Sequence, residues 1–387
     1  MEKPDDKEAI SSFQALMVST ASRVGTGNIV GVSSAICIGG FGSVFWMWVI
    51  AIIGSASALI ESTLAQIYKK KGEDGSCYGG PAYYIEAALH CRPLAIVFCV
   101  AMILTYAFGF NMLASYNLQS TFSVFSFYEA KMSPWIIGGI LAVLTGWCLL
   151  GGGSRIVKVT SMVVPVMGIA YIGISLLVVI INIQNVPAMF VRIFEEAFDF
   201  KAIFGAFSGS AMMQGIRRGL YSNEAGIGSA PNASASANVS HPVKQGLIQA
   251  LSVFTDTIVI CSCTAFIILL SDLPLDGTLK GIQLTQAAVG HEIGPFGAQF
   301  IAFCILLFAF SSIVGNYSYC ETNLFFISRH PAGLQIYRIA VGGMVFFGSV
   351  AGLDIVWNLA DLFMALMTLI NLSLIHISEP TRPRLIS

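Results

Sequence analysis

Runs of about 20 mostly apolar residues recur ten times along this chain, near 13–38, 42–67, 94–120, 134–151, 157–182, 201–218, 245–270, 296–327, 335–353 and 355–376. A run of that length is what an α-helix needs to cross the hydrocarbon core of a bilayer. Composition agrees, because 11% of the 387 residues are charged and 56% are hydrophobic. Soluble domains carry about 25% charged residues, so this chain cannot cover a surface facing water. The expected fold is an all-α membrane protein of about ten transmembrane helices. One transmembrane domain is expected over 1–377. The polar, proline-containing residues 378–387 read as a non-native or disordered tail.

Basic residues give the expected orientation. With a cytoplasmic N-terminus, inner loops hold Lys69, Lys70, Lys71, Arg92, Arg155, Lys158, Arg217, Arg218, Lys244, Arg329 and Arg338. Outer loops hold Lys131, Arg192, Lys201 and Lys280. The pattern fits a multi-pass protein of the plasma membrane. A net charge of −1 excludes the basic footprint of a nucleic-acid binder. The segment 185–201 reads as an amphipathic helix on the outer surface. The Ala-, Ser- and Asn-rich stretch 222–241 reads as a polar, partly helical cytoplasmic connection.

Inside the first apolar run lies Val24-Gly-Thr-Gly-Asn-Ile-Val-Gly31. Gly25, Gly27 and Gly31 weaken a helix at membrane depth, where broken backbone is tolerated only in protein or beside a cavity. Freed amides at a half-helix N-terminus suit a carboxylate, and freed carbonyls suit a cation. Close helix packing through small residues is the bland alternative. Thr26, Asn28 and Arg23 are too polar for a packing seam. Arg23 needs a polar interior, with Glu61, Glu224 or Asp256 as its partner. A structural or gating role suits it better than substrate contact.

A second break is expected at Gly205–Gly215, where Ser208, Ser210 and Gln214 accompany three glycines. Breaks at corresponding places in two halves point to a transporter's binding site. In the eighth run, Ser311 and Ser312 offer adjacent hydroxyls and Asn316 follows one turn later. Such oxygens suit a hard cation, although membrane serines often bond their own backbone. Asn111, Ser115 and Gln119 share one face of the third helix.

Four stretches together resemble the alanine or glycine:cation symporter family: Ser222-Asn-Glu-Ala-Gly-Ile-Gly-Ser-Ala-Pro231, Val24–Gly31, Gly79-Gly-Pro-Ala-Tyr-Tyr-Ile-Glu86 and Ser252-Val-Phe-Thr-Asp-Thr257. The resemblance covers residues about 11 to 372. It implies a leucine-transporter-type fold of two inverted five-helix repeats, about 11–182 and 201–376, with helices one and six broken. It implies symport of alanine or glycine with Na⁺. Gly25, Thr26, Gly27 and Asn28 would then hold the substrate, with Ser210, Gln214 and Asn316. The carbonyls of Ala21 and Val24 and the hydroxyls of Ser311 and Ser312 would hold Na⁺. Family members have a further helix at each end, so the resemblance implies a fragment with an intact core. Some carry Trp where this chain has Asn316, a position that shapes the pocket.

Other classes lack their signatures. No His-Glu-x-x-His or Gly-x-Ser-x-Gly occurs, which argues against an intramembrane enzyme. A channel would show a filter motif or ring of charges. A sodium-independent or proton-coupled permease remains the alternative.

Overall fold

A computed structural model describes residues 11–72, 75–199, 210–275 and 277–378. Nearly all regular structure is helical, apart from a two-residue antiparallel pair, β1 (Lys70–Lys71) with β2 (Cys77–Tyr78). Eight segments are long and apolar enough to cross a membrane: Gly42–Ile67, Arg92–Val124, Ser133–Leu150, Gly152–Ile181, Pro242–Leu270, Phe296–Ile327, Pro331–Val350 and Leu353–Leu374. Two further helices are interrupted among the described residues, and neither meets that criterion.

The first interrupted helix is α1 (Ser12–Arg23) followed, after a break, by a π-helical turn at Gly27–Gly31 and α2 (Val32–Gly39). A capping box starts α1, with Ser11 and Gln14 each bonding the other's backbone N–H. Next come α3 (Gly42–Ile67), α4 (Pro81–Leu89) and α5 (Arg92–Met102). A π-helical stretch, Ile103–Phe110, joins α5 to α6 (Asn111–Thr121). After α7 (Ser133–Leu150) and α8 (Gly152–Ile181), the amphipathic α9 (Val186–Ala197) lies where the sequence placed an amphipathic helix.

The second interrupted helix is α10 (Ala211–Asn223) and α11 (Ala230–Ser236). It corrects one expectation. Among the described residues the break falls at 224–229 and not at 210–215. Positions 205–209 lie outside the described residues, and 211–215 are regular helix. The partly helical character expected of 222–241 is met by α11, and 222–235 are buried throughout. Small residues there let the backbone pass between helices, which is packing and not exposure.

The chain then forms α12 (Pro242–Phe254), a π-helical stretch Thr255–Cys261, α13 (Ser262–Leu270), α14 (Ile282–Ile293), α15 (Phe296–Ile327), α16 (Pro331–Val350) and α17 (Leu353–Ser378). Positions 379–387, most of the expected tail, lie outside the described residues.

Burial sorts these helices. The Pro242–Leu270 and Phe296–Ile327 spans are 72% and 61% buried over their most apolar windows, against 28% for α8, α16 and α17. The first pair is therefore central. The others turn Ile169, Ile339 and Leu369 outward, as lipid contact requires. Glycine sets the closest approaches. A Cβ on Gly348 of α16 would lie 2.4 Å from the Met112 Cα of α6. Overpacking of this kind costs about 1–3 kcal/mol. Gly348→Ala should therefore lower the melting temperature in detergent, and an unchanged melt would show that the two helices separate freely.

Candidate functional site

Both breaks meet at the centre of the bundle. At the first, Val24 leaves helical geometry with ψ 86° while its N–H still reaches the Thr20 carbonyl. The Gly25 N–H loses a helical acceptor and donates instead to Asn28 Oδ1 at 2.8 Å. The glycines serve close approach. A Cβ on Gly25 would lie 2.1 Å from Ser312 Oγ, and one on Gly27 would lie 2.6 Å from Tyr221 Cε1.

At the second break the backbone turns left-handed at Glu224 (φ 52°), Gly226 (φ 77°) and Gly228 (φ 88°). Glycine adopts such angles at little steric cost. Residues remote in sequence hold the turn. The Gly226 N–H donates to Glu61 Oε1 at 3.3 Å, and Asn371 Nδ2 donates to both Glu61 Oε2 and the Gly226 carbonyl at 2.9 Å. Tyr84 OH then donates to Asn371 Oδ1 at 2.7 Å.

Between the breaks lies a cavity of about 20 Å³, above the ~10–15 Å³ that one water needs on this measure. Ser22, Arg23, Gly25, Thr26 and Gly27 form one wall. Tyr221 comes from the last turn of α10 and Glu224 from the second break, Ser312 and Asn316 from α15, and Phe110 and Ala114 from the third span. The three π-helical stretches among the described residues all lie in helices that ring this centre, where such bulges commonly mark function.

The predicted residues divide. Gly25, Thr26, Gly27, Ser312 and Asn316 line the cavity. Asn28 turns away, donating to Asp256 Oδ1 at 2.7 Å, so it braces the break against the π-helical stretch that follows α12. Asn316 Oδ1 lies 2.7 Å from Ser22 Oγ, whose one proton it shares with Glu224, and its Nδ2 donates to Asn111 Oδ1 at 2.9 Å. Ala21 and Val24 are buried on either side of Ser22 and Arg23. Ser312 Oγ approaches the Ser22 carbonyl at 3.4 Å. Ser311 Oγ donates to the Phe308 carbonyl at 3.1 Å, the local bond that membrane serines often make.

Ser210 and Gln214 are not brought here. Ser210 caps the start of α10, accepting from the Met213 N–H at 3.3 Å. Gln214 packs one turn later beside Gly39. Both stand at the end of α10 away from the break.

Arg23 takes none of its three candidate carboxylates within ion-pair distance among the described residues. Its Nη1 donates to Gln249 Oε1 at 2.9 Å. Asp256 is held by Asn28, Ser222 and Thr257, and Glu224 by Ser22 and Ser229. Sequence reasoning treated Glu224 only as a charge partner and missed Ser22, Phe110, Ala114 and Tyr221. One signal was present: Gly226-Ile-Gly228 repeats the Gly-x-Gly spacing of Gly25-Thr-Gly27.

Comparison with known proteins accords with this arrangement. The chain is 50% identical over 375 residues to the amino-acid carrier protein AlsT of Bacillus subtilis, covering 97% of this chain and 79% of that protein. It is 38% identical over 371 residues to the sodium/alanine symporter AgcS of Methanococcus maripaludis, covering 94% and 80%. The crystal structure of MhsT in complex with L-phenylalanine superposes with a TM-score of 0.67 at 13% identity, over 96% of this chain and 89% of that one. That likeness gives the leucine-transporter type of fold. The family model described as the sodium:alanine symporter family matches residues 1–385. With two broken helices enclosing a polar cavity, and relatives that are carriers and not enzymes, this chain belongs to the sodium:alanine symporter family.

Proposed function

We propose that this protein carries a small neutral amino acid, alanine or glycine, across the plasma membrane together with Na⁺ by alternating access. The observation that carries this reading is the cavity enclosed by both helix breaks, with glycine backbone on one side and hydroxyl and amide side chains on the other. Gly25, Thr26, Gly27 and Asn316 hold the substrate, and Asn28 keeps the break in shape. Ser210 and Gln214 leave the proposed substrate set because of their place on α10. The Ala21 and Val24 carbonyls, with the Ser311 and Ser312 hydroxyls, take the Na⁺, since a hard cation replaces lost water with such oxygens. Segments 11–182 and 201–376 act as inverted repeats of one transport domain. The N-terminus faces the cytoplasm, following the basic residues.

The test is uptake of labelled alanine into proteoliposomes under an inward Na⁺ gradient, with choline as control. Accumulation that needs the gradient supports symport. Equilibration without Na⁺ would indicate a sodium-independent permease or a pore.

The walls set a size limit. Phe110, Ala114 and Tyr221 close the cavity, with the Phe110 and Tyr221 rings 4.9 Å apart edge to face. Alanine and glycine should be carried and tryptophan refused. Tryptophan uptake at the alanine rate would contradict the assignment of these walls.

A further inference from the structure

We propose that the Glu224 carboxylate binds the α-ammonium group of the transported amino acid. The inference rests on reading the cavity as the substrate site. Glu224 is 2% exposed and lines that cavity, at the residue where the second break turns left-handed. Among the described residues, no cation lies within ion-pair distance of it. Arg23 stands on an adjoining wall with its Nη1 held by Gln249. A buried carboxylate without a cation is costly, so a positive group entering the cavity finds a counter-charge there.

The hydrogen bonding leaves room for this. Ser22 Oγ, whose one proton is shared between Glu224 and Asn316 Oδ1, lies 2.8 Å from Glu224 Oε1, and Ser229 Oγ donates to Oε2 at 2.9 Å. A carboxylate offers about four acceptor sites, so each oxygen keeps one. The two hydroxyls fix the direction of the carboxylate without neutralising it, and the Arg23 charge acts on it from beyond ion-pair distance. Gly27, where the Gly27–Gly39 half-helix begins with its positive N-terminal end, lines the same cavity. An anionic side chain and a helix N-terminus lining one small space match a zwitterion whose charges are one carbon apart. An α-amino acid has that form. A hydroxy acid lacks the cation.

Glu224→Gln tests this, because glutamine can bond both hydroxyls while losing the charge. Equilibrium binding of labelled alanine would be measured on purified protein in saturating Na⁺, with unlabelled lactate as competitor. Thermal melting would report folding. Wild type should prefer alanine to lactate by at least about thirty-fold. In E224Q alanine affinity should fall about ten- to a hundred-fold, the loss expected for a partner of a charged group. The preference over lactate should shrink to within about threefold. Glu224→Asp, which keeps the charge, should recover part of the alanine affinity.

Alanine binding by E224Q within about threefold of wild type would overturn the proposal. So would an alanine-over-lactate preference that survives the substitution. If E224Q does not fold, the wild-type competition decides, since lactate displacing alanine at equal concentration excludes an ammonium site. Wild type that binds no alanine, glycine or serine in Na⁺ would instead overturn the substrate reading, and this one with it.

Discussion

Replacing Gly25 by alanine should reduce Na⁺-driven uptake about a hundred-fold or more. The added methyl would lie 2.1 Å from Ser312 Oγ, 3.3 Å from the Ser22 carbonyl and 3.4 Å from Ser312 Cβ. No side chain tolerates the first of these, so the hydroxyl must leave its place or α1 must move from α15. Overpacking costs about 1–3 kcal/mol. Displacing a hydroxyl from a charged ligand adds about 1.5–3 kcal/mol, and each 1.4 kcal/mol is about tenfold. A second variant separates the two causes. Gly25→Ala with Ser312→Gly removes the obstructing atoms, so melting temperature should return while sodium activation stays weak. Uptake by G25A within about tenfold of wild type would show that this close contact is not part of the working protein.

Ser312→Ala addresses the ion directly. The Ser312 hydroxyl lines the cavity, 3.4 Å from the Ser22 carbonyl in the last turn of α1 before the break. A Na⁺ there sits in a medium of low dielectric and needs oxygen ligands. Loss of one should weaken apparent sodium affinity about ten- to a hundred-fold. Alanine affinity should weaken at limiting Na⁺ because linkage is reciprocal. Saturating Na⁺ should restore much of it, which a lost substrate contact would not allow. The measurement is alanine uptake titrated with Na⁺ for wild type and variant. An unchanged half-activating Na⁺ concentration would remove Ser312 from the sodium site.

The class of fold was legible because lipid imposes a strict rule on composition. Ten apolar runs and few charges admit little besides a helical bundle, and most predicted spans match observed helices within a few residues. The first break was legible for a local reason. Gly25, Gly27 and the polar Thr26 and Asn28 stand inside an otherwise apolar run, so the interruption is written where it occurs.

The second break was not legible in that way. Two stretches, Gly205–Gly215 and 222–231, are both rich in glycine and polar residues, and local sequence cannot choose between them. The choice was made by groups far along the chain. Glu61 of α3 and Asn371 of α17 satisfy the backbone at Gly226, and Ser22 of α1 pairs with Glu224. A helix at membrane depth opens where outside partners replace its lost backbone bonds.

The same distinction holds for the charges. The sequence alone established that Arg23, Glu61, Glu224 and Asp256 lie in or beside apolar segments and must be buried in protein. Only tertiary packing decided their partners: Gln249 for Arg23, Asn371 for Glu61, Ser22 and Ser229 for Glu224, and Asn28 for Asp256. Residues this far apart meet only through the packing of whole helices, and hydrophobic periodicity determines which face a helix buries without naming the residue it will meet.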